Sequence, residues 1–403
     1  MGKHVLFVCY WSIADGLTVS TVFPSLVQLE ALSSVSKVYL VTIERGDFAL
    51  EGALVTLPPK GVHSPFMVKG NSKTYRYVQE FLLLPRNLEK LVIREKINFI
   101  IARGAPAGTV AHVVSKKCNV PYYVESYEPH ADYMADSGVW SRTGLKYIYQ
   151  KKQERKQNVM AAGLMPVAES FKQQLISEGV PASKIVTVPC VADPDFFQFN
   201  RYERERIREN LRVFRTTTVG VYVGKYGGLY MEDETFRIYK KCFALIPDFK
   251  LIILSPNSKE YIQKKLLQHS IEQSKVYVAA VPHHEVPAYL SAADFAFATY
   301  KPGPSKKYLS PVKIGEYWAN GLPVLLTEGV GDDSDIIKNE GGGAVFNLTE
   351  EGSLEKALDK IQQILKDTNH RQEIPNLARK YRSPDKIKEA YEYFFGRGQE
   401  EQS

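Results

Sequence analysis

Cysteine is scarce in this sequence. The chain of 403 residues contains four cysteines, at positions 9, 118, 190 and 242, and no two of them form a CxxC pair. This spacing argues against both a zinc-ribbon motif and a disulfide framework. A reducing compartment fits best, so we expect a cytoplasmic protein.

Long apolar runs are also missing. No stretch reaches the roughly 18 apolar residues that a membrane-spanning helix requires. The apolar residues 1–10 run into polar Ser12 and Asp15 without a small-residue cleavage site, so we interpret them as a buried strand and not as a signal peptide. No nucleic-acid-binding motif is recognisable, and no nucleic-acid partner is expected.

Positive charge is in modest excess, with a formal net charge of +7. Such an excess suits a phosphate-rich ligand or an anionic membrane surface. Residues 146–156 read KYIYQKKQERK, with five basic side chains and one acidic one. A helix of this composition is a candidate for resting on the inner face of a membrane, and the alternative is an ordinary solvated helix face.

Short apolar runs alternate with helical stretches along the whole chain. Each run is closed by polar or turn residues, which is typical of strands buried on both faces of a parallel sheet. The predicted strands are residues 4–8, 38–42, 98–102, 122–125, 219–223, 250–254, 276–279, 295–298, 324–326 and 344–346. The pattern restarts after a charged connector at about residues 193–218. We therefore predict an α/β protein of two doubly wound domains.

Three stretches carry a family resemblance: residues 167–197 (ending VPCVADPDFF), 221–228 (VYVGKYGG) and 310–325 (SPVKIGEYWANGLPVL). Together they resemble the GT-B glycosyltransferases, specifically the retaining, GT4-like group 1 family. The resemblance implies two Rossmann-like domains facing a central cleft. It places an acceptor-side domain at residues 1–192 plus 384–403, because the last helix returns to it, and a nucleotide-sugar domain at 193–383.

The resemblance also implies an activity. It predicts a hexosyltransferase-type enzyme that moves a sugar from a UDP- or GDP-linked donor to a hydroxyl acceptor. The acceptor expected from the family is a polysaccharide or lipid-linked glycan precursor. Retention of configuration and independence of metals and cofactors are implied in the same way.

A glycine turn and a helix start predict the donor site. Gly227 and Gly228 follow a strand, where glycine lets backbone N–H groups approach a diphosphate, and Lys225 adds a positive charge. The alternative is a tight turn with a surface lysine. The resemblance places backbone groups near His283 against the nucleobase. His283 and His284 are adjacent and lack further ligands, so we expect no metal there.

The second part of the predicted donor site is a helix that begins at Ser310-Pro311, with proline in its first turn. Lys313 and Glu316 stand three residues apart and share one side of that helix. Lys313 and Ser310 would hold the diphosphate. The resemblance places Glu316 on the ribose diol, and the alternative is an exposed lysine–glutamate pair.

Two positions depart from the family pattern. A second basic residue after Lys225 is replaced by Leu229-Tyr230-Met231, and the first glutamate of the family's E-x7-E pair is replaced by Tyr308. These departures put the donor sugar in doubt. They also leave open a non-catalytic nucleotide-sugar-binding scaffold, beside a nucleotide-sugar epimerase of the same fold.

Candidate residues in the first domain follow its predicted strands. In the resembled family, the loop after residues 122–125 supplies a polar residue near the donor sugar and acceptor. Glu128 and His130 in this loop are therefore the candidate catalytic residues, with Glu125 behind them, and the alternative is a surface loop. Arg103 follows another strand and suits an anionic group. Gly16 is the remaining candidate for the acceptor side, in a first loop where the family usually has a glycine pair.

Overall fold

In the computed structural model, which describes residues 2–45, 57–70 and 72–396, the chain divides into two units. Unit 1 comprises Met1–Val191 with Pro384–Ser403, and unit 2 comprises Ala192–Ser383. The stretches 46–56 and 397–403 of the predicted first domain lie outside the described residues. Among the described helices, none combines the length and apolarity needed to cross a bilayer.

A six-stranded parallel sheet forms the centre of unit 1, in the order β4-β2-β1-β6-β7-β8. The strands of this unit are β1 Lys3–Val8, β2 Val35–Val41, β3 Ile43–Arg45, β4 Gly61–His63, β5 Phe66–Val68, β6 Phe99–Arg103, β7 Tyr122–Tyr127 and β8 Gly163–Pro166. Strands β3 and β5 form a separate parallel pair. The central strands are buried along most of their length, because helices cover the sheet.

The helices of unit 1 follow its strands. They are α1 Phe23–Ala31, α2 Lys73–Val78, α3 Leu84–Arg94, α4 Gly104–Cys118, α5 His130–Asp136, α6 Leu145–Met160 and α7 Glu169–Ser177. Wide π-type turns precede α1 and α3, at Thr18–Val22 and Gln79–Leu83. The apolar side chains of Val22, Leu26 and Leu29, at helical spacing, are buried in the core of unit 1.

Unit 2 repeats the same architecture. Its strands are β9 Thr218–Val223, β10 Phe249–Leu254, β11 Val276–Ala279, β12 Phe295–Ala298, β13 Val324–Thr327 and β14 Gly343–Phe346. They form a parallel sheet in the order β11-β10-β9-β12-β13-β14. The strand order reverses between β9 and β12, and the carboxyl ends of strands at such a point flank a ligand crevice.

The helices of unit 2 are α8 Arg201–Asn210, α9 Asp233–Leu245, α10 Lys259–Gln268, α11 Val286–Ala292, α12 Val312–Ala319, α13 Asp333–Glu340, α14 Ser353–Lys366, α15 His370–Glu373 and α16 Pro375–Arg382. The interpretation of residues 193–218 as a connector is wrong. The segment contains α8, which is fixed to unit 2 because Arg204 and Arg208 both reach the Asp294 carboxylate.

The last helix, α17 Asp385–Gly396, belongs to unit 1. Its Phe395 ring stacks on Phe99 of β6 at 4.2 Å between centroids, and Tyr391 is fully buried. The two segments that pass between the units are paired at the edge of unit 2, where the Ala192 amide donates to the Arg382 carbonyl at 2.9 Å.

Candidate functional site

The turn after β9 is held open by glycine. Gly224 has a φ of 137°, and a Cβ added there would lie 2.7 Å from the Lys313 Nζ. Gly227 and Gly228 also have positive φ values, of 82° and 63°. Such conformations and such close approach are available to glycine alone without strain. The turn thus gives room to an ammonium group that comes from a helix nearly ninety residues further along the chain.

Lys313 of α12 is the most unusual side chain in this region. It is buried, and its Nζ has no hydrogen-bond partner among the described residues. The ammonium instead lies over three tyrosine rings, at 4.8 Å from Tyr222, 4.3 Å from Tyr230 and 5.8 Å from Tyr300. Ring faces attract a cation but do not satisfy its N–H donors. The arrangement leaves a buried cation with donors to offer to an anion.

Burial also changes the protonation of this group. Desolvation lowers the pKa of Lys313 to about 7, while the charge of Glu316 acts in the opposite direction. Near neutral pH the amine is therefore balanced between its charged and neutral forms. An anionic ligand would restore the charge, because an opposite charge favours the protonated state.

The start of α12 lies at the switch point of the sheet. The helix begins at Val312, and its N-cap residue is Pro311, whose side chain offers no acceptor to the first-turn N–H groups. Ser310 is fixed from behind, because its hydroxyl accepts a hydrogen bond from the buried Arg382, which also pairs with Asp333. Sequence reasoning missed Arg382, which lies 72 residues away with no local signal.

Glu316 and His283, predicted from separate stretches, are brought together. The Glu316 Oε1 lies 3.4 Å from the His283 Nε2, and the His283 ring stacks on Phe196 at 5.8 Å between centroids. Glu316 is buried, so the alternative of an exposed lysine–glutamate pair is wrong. A half-exposed imidazole and a buried carboxylate at one edge suit a nucleoside, with a ring to stack and hydroxyls to bind.

The two departures from the family pattern have structural consequences. Tyr230, in place of a second basic residue, covers the Lys313 ammonium. Tyr308, in place of a glutamate, is mostly buried, and the Lys307 ammonium lies 5.0 Å above its ring. Lys225 is exposed on the glycine turn, and its carbonyl accepts a hydrogen bond from the Tyr222 hydroxyl at 2.7 Å.

In unit 1, Arg103 and Glu125 form a buried ion pair. The Arg103 guanidinium donates to Glu125 Oε1 at 2.8 Å, and Ser25 donates to the same oxygen at 3.1 Å. The Tyr391 hydroxyl donates to the other oxygen. Burial alone would lower the pKa of Arg103, but the Glu125 charge raises it above its ordinary value. The two carboxylate oxygens together accept three hydrogen bonds. Glu125 therefore has a structural role, because these bonds join β7 to β6, α1 and α17.

Glu128 and His130 follow the end of β7. The strand is irregular here, with a register shift between Val124 and Tyr127 and a positive φ of 50° at Ser126. Burial raises the pKa of Glu128 to about 7, against the lowering effect of the Arg103 charge. Burial lowers the pKa of His130 to about 4. At neutral pH, Glu128 can therefore exchange a proton, and His130 is a neutral imidazole beside Tyr133 and Trp140.

The first loop, after β1, contains the predicted residue Gly16, but it is fixed by Glu44, which sequence reasoning missed. Gly16 is exposed and a Cβ there would meet nothing within 4 Å. The loop is instead held by the buried Glu44, which accepts hydrogen bonds from the Ser12 hydroxyl and from the Ile13 amide at 2.9 Å. Burial acts to raise the pKa of Glu44, but these bonds and one from Thr42 lower it.

The D-x-D sequence at Asp193-Pro194-Asp195 has a local structural role. The Asp193 carboxylate accepts from the amides of Asp195 and Phe196, at 3.0 and 3.1 Å. This is an Asx-type turn, which uses the carboxylate to hold the backbone. Within the part of the chain that the structure describes, no group of three or more His, Cys, Asp or Glu side chains is placed to hold a metal ion.

A family model fits unit 2. Residues 203–381 match the model of the family described as Glycosyl transferases group 1, which covers most of the span Ala192–Ser383. The resemblance to group 1 glycosyltransferases predicted from the sequence is therefore confirmed. No curated protein sequence matches this chain significantly.

Solved structures with the same two-domain fold span the chain. Sucrose-phosphate synthase from Thermosynechococcus elongatus superposes with a TM-score of 0.74 at 14% identity, covering 98% of each chain. Anabaena Alr3699/HepE in complex with UDP-glucose gives 0.71 at 15% identity, covering 98% of this chain and 99% of that one. A putative UDP-N-acetylglucosamine 2-epimerase from Listeria monocytogenes gives 0.65 at 12% identity, covering 99% and 98%. The predicted GT-B fold is confirmed.

Proposed function

We propose that the protein transfers a hexose from a nucleotide-diphosphate sugar to a hydroxyl acceptor. Residues 203–381 match the group 1 glycosyltransferase family, and the chain has a GT-B fold. One observation carries the proposal. The buried Lys313 ammonium has no hydrogen-bond acceptor among the residues that the structure describes, and it lies beside the glycine turn at the switch point of the sheet. A diphosphate supplies the missing acceptors.

The diphosphate and the nucleoside of the donor would be bound by different residues at this edge of the sheet of unit 2. The Lys313 ammonium and the first-turn N–H groups of α12 would bind the diphosphate, with the exposed Lys225 at the turn as a second cation. Glu316 would accept hydrogen bonds from the ribose hydroxyls, and the region of His283 would face the base. A neighbour of the same fold binds UDP-glucose, so a uridine donor is the first choice over a guanosine donor.

The reaction breaks the bond between the anomeric carbon and the diphosphate oxygen, and it forms a bond from that carbon to the acceptor oxygen. Negative charge grows on the leaving diphosphate, so Lys313 and the start of α12 would bind it more strongly in the transition state than in the ground state. We propose retention of configuration, with the acceptor's proton passing to the leaving phosphate oxygen. No metal ion or cofactor enters this scheme.

Glu128 and His130 are proposed to contact the sugar or the acceptor from unit 1. A carboxyl with a pKa of about 7 can give or accept a hydrogen bond to a hydroxyl during the reaction. A neutral imidazole can do the same without repelling an oxocarbenium-like sugar. The acceptor is proposed to be a polysaccharide or lipid-linked glycan precursor at the cytoplasmic face of a membrane.

Nucleotide binding should be visible as thermal stabilisation. A ligand at about 100-fold its dissociation constant adds about 2.7 kcal/mol, which corresponds to a shift of several degrees in melting temperature. We expect one member of a panel of UDP, GDP, ADP and their sugars to shift the wild-type protein. Glu316→Ala should abolish that shift, because the ribose loses its carboxylate.

The control is Glu355→Ala, which removes an exposed glutamate of α14 that pairs with Lys241. This variant should respond to the nucleotide as the wild type does. An equal response of Glu316→Ala would contradict the ribose assignment. A panel without any stabilising ligand would overturn the donor site, whereas nucleotide binding without turnover would favour the non-catalytic scaffold.

Donor affinity should fall as the pH rises through 7. The free protein holds Lys313 with a pKa of about 7, so above that value binding must first restore the proton. The dissociation constant of the nucleotide sugar should rise up to about tenfold per pH unit between pH 7.5 and 9. The surrounding tyrosines 222, 230 and 300 stay neutral there, because burial raises their pKa values.

The measurement is a calorimetric titration with the nucleotide sugar, whose diphosphate does not titrate in this range. Glu128→Gln is a control, because Glu128 is another group with a pKa of about 7, and this variant should keep the dependence. A dissociation constant that stays flat from pH 6 to 9 would show that Lys313 does not bind the diphosphate.

The epimerase alternative differs in what it consumes. An epimerase would convert the nucleotide sugar without any acceptor, and proton NMR of the sugar alone would detect the new isomer. A transferase releases the nucleoside diphosphate, and it does so faster with acceptor present. The two outcomes are distinguished by one incubation of the donor with and without an acceptor mixture.

A further inference from the structure

In helix α6 of unit 1, the buried side chains are polar and several apolar side chains are exposed, the reverse of the usual pattern. Its buried side chains are all polar or charged: Gln150, Gln153, Glu154 and Gln157. They are used in hydrogen bonds, because Gln157 donates to the Ala105 carbonyl of α4 at 2.9 Å and Glu154 accepts from the Ala131 amide of α5 at 2.9 Å. The helix is therefore attached to its domain through its polar side.

The exposed side of α6 carries apolar residues near both ends and basic residues mainly between them. Five apolar side chains are exposed, from 86% at Leu145 to 43% at Tyr149, and the full set is Leu145, Ile148, Tyr149, Val159 and Met160. Four exposed cations lie among them: Lys146, Lys152, Arg155 and Lys156. At 100° per residue, all nine fall within about half of the helix circumference. The one acidic residue of the helix, Glu154, is on the buried side.

We propose that this α6 face, defined by those nine residues, docks on an anionic lipid bilayer with the helix axis parallel to the surface. Leu145, Ile148 and Val159 would enter the boundary between headgroups and acyl chains. The four long cations would extend to lipid phosphates, with their stems among the apolar side chains. The helix is about 24 Å long; its exposed apolar side chains lie near its two ends, and three of the four cations lie between them.

The positive charge of the α6 face favours an anionic membrane over a second copy of the chain as its binding partner. A second copy of the chain, packed through the same face about a two-fold axis, would bring two sets of four cations together. An anionic membrane supplies negative charge and apolar depth at once, and each basic residue near its surface adds to binding. This inference does not rest on the proposed transferase reaction, since it uses no residue of the donor site.

The test is co-sedimentation of the full chain with vesicles of phosphatidylcholine alone and of phosphatidylcholine with 30 mol% phosphatidylglycerol. We expect binding to the anionic vesicles only. The charge-reversed variant Lys152→Glu/Arg155→Glu/Lys156→Glu should bind them at least about 100-fold more weakly. The variant Leu145→Ser/Ile148→Ser keeps the charge and should bind about tenfold more weakly, because apolar burial is lost.

A matched control separates the α6 face from net charge. Lys240, Lys259 and Lys264 are exposed on α9 and α10 of unit 2, and changing all three to Glu alters the net charge by the same amount. This control should bind vesicles as the wild type does. Equal loss in the control, or equal binding to uncharged vesicles, would overturn the proposal, as would an α6 variant that changes the oligomeric state instead of vesicle binding.

Folding and donor binding are monitored separately. All α6 variants should keep the melting temperature and the nucleotide-induced shift of the wild type, since the changed side chains are exposed. Glu316→Ala should still bind anionic vesicles. Failure of the donor site and failure of the membrane face are thus distinguishable in the same set of proteins.

Discussion

Replacing Lys313 by methionine should raise the stability of the unliganded protein and strongly lower its activity. In the part of the chain that the structure describes, the buried amine has no hydrogen-bond acceptor, so the cost of desolvating it opposes folding. Methionine fills a similar volume between the tyrosine rings without that cost. At pH 7 we expect about 2 kcal/mol of added stability in unit 2, or roughly 4–8 °C in its melting temperature.

The sign of the pH dependence follows from the lowered pKa. Lys313 binds its proton at about pH 7 in the folded protein and at its ordinary value of 10.5 when unfolded. The unfolded state therefore holds more protons between these values, and the destabilisation by Lys313 grows as the pH falls from 10.5 to 7. The gain from methionine should be largest at or below pH 7 and should vanish above pH 10.5.

The Lys313→Met variant should gain stability but lose activity. Without the ammonium, the charge that develops on the leaving diphosphate is less well stabilised, and kcat/KM should fall by about 10²–10³-fold. The control is Lys264→Met, a change at an exposed lysine of α10 that should alter neither quantity. A Lys313→Met protein that is less stable than the wild type would contradict the view that Lys313 serves binding at the expense of folding.

Truncating Glu125 should destabilise unit 1 severely. Its carboxylate neutralises the Arg103 guanidinium, and both side chains are at least nine-tenths buried. Glu125→Ala leaves a buried cation without its partner, and it leaves the Tyr391 hydroxyl without its acceptor. We expect a loss of about 3–5 kcal/mol, measured by chemical denaturation of the full chain.

Two further variants separate this structural role from a role in binding. The double change Arg103→Met/Glu125→Leu removes both charges and should recover most of the lost stability. Glu89→Ala, which breaks the exposed pair with Lys117, should cost less than about 1 kcal/mol. If Glu125→Gln lost activity with unchanged stability, Glu125 would be a substrate-contacting residue, as the sequence first suggested.

From the sequence, ten of the fourteen described strands were predicted, and β3, β4, β5 and β8 were missed. Strand runs such as residues 276–279 and 295–298 coincide with β11 and β12, because continuous apolar runs between turn residues are a local property. The start of α12 was predicted to within two residues, since proline beside a helix start is a local signal; the helix begins at Val312, and Pro311 is its N-cap and not part of its first turn. The charged segment that contains α8 was misread, because its ion pairs to Asp294 are not visible in sequence.

What the sequence by itself determined is therefore the order of strands and helices, the glycine turn and the lysine and glutamate that share a helix. Only the tertiary structure decided which charged groups are satisfied. Lys313 lies among tyrosines from three separate segments and has no acceptor among the described residues. The Glu125 carboxylate instead accepts hydrogen bonds from Arg103, from Ser25 and from a tyrosine 266 residues away. Burial and partner choice arise from contacts between distant segments, and a linear pattern does not encode those distances.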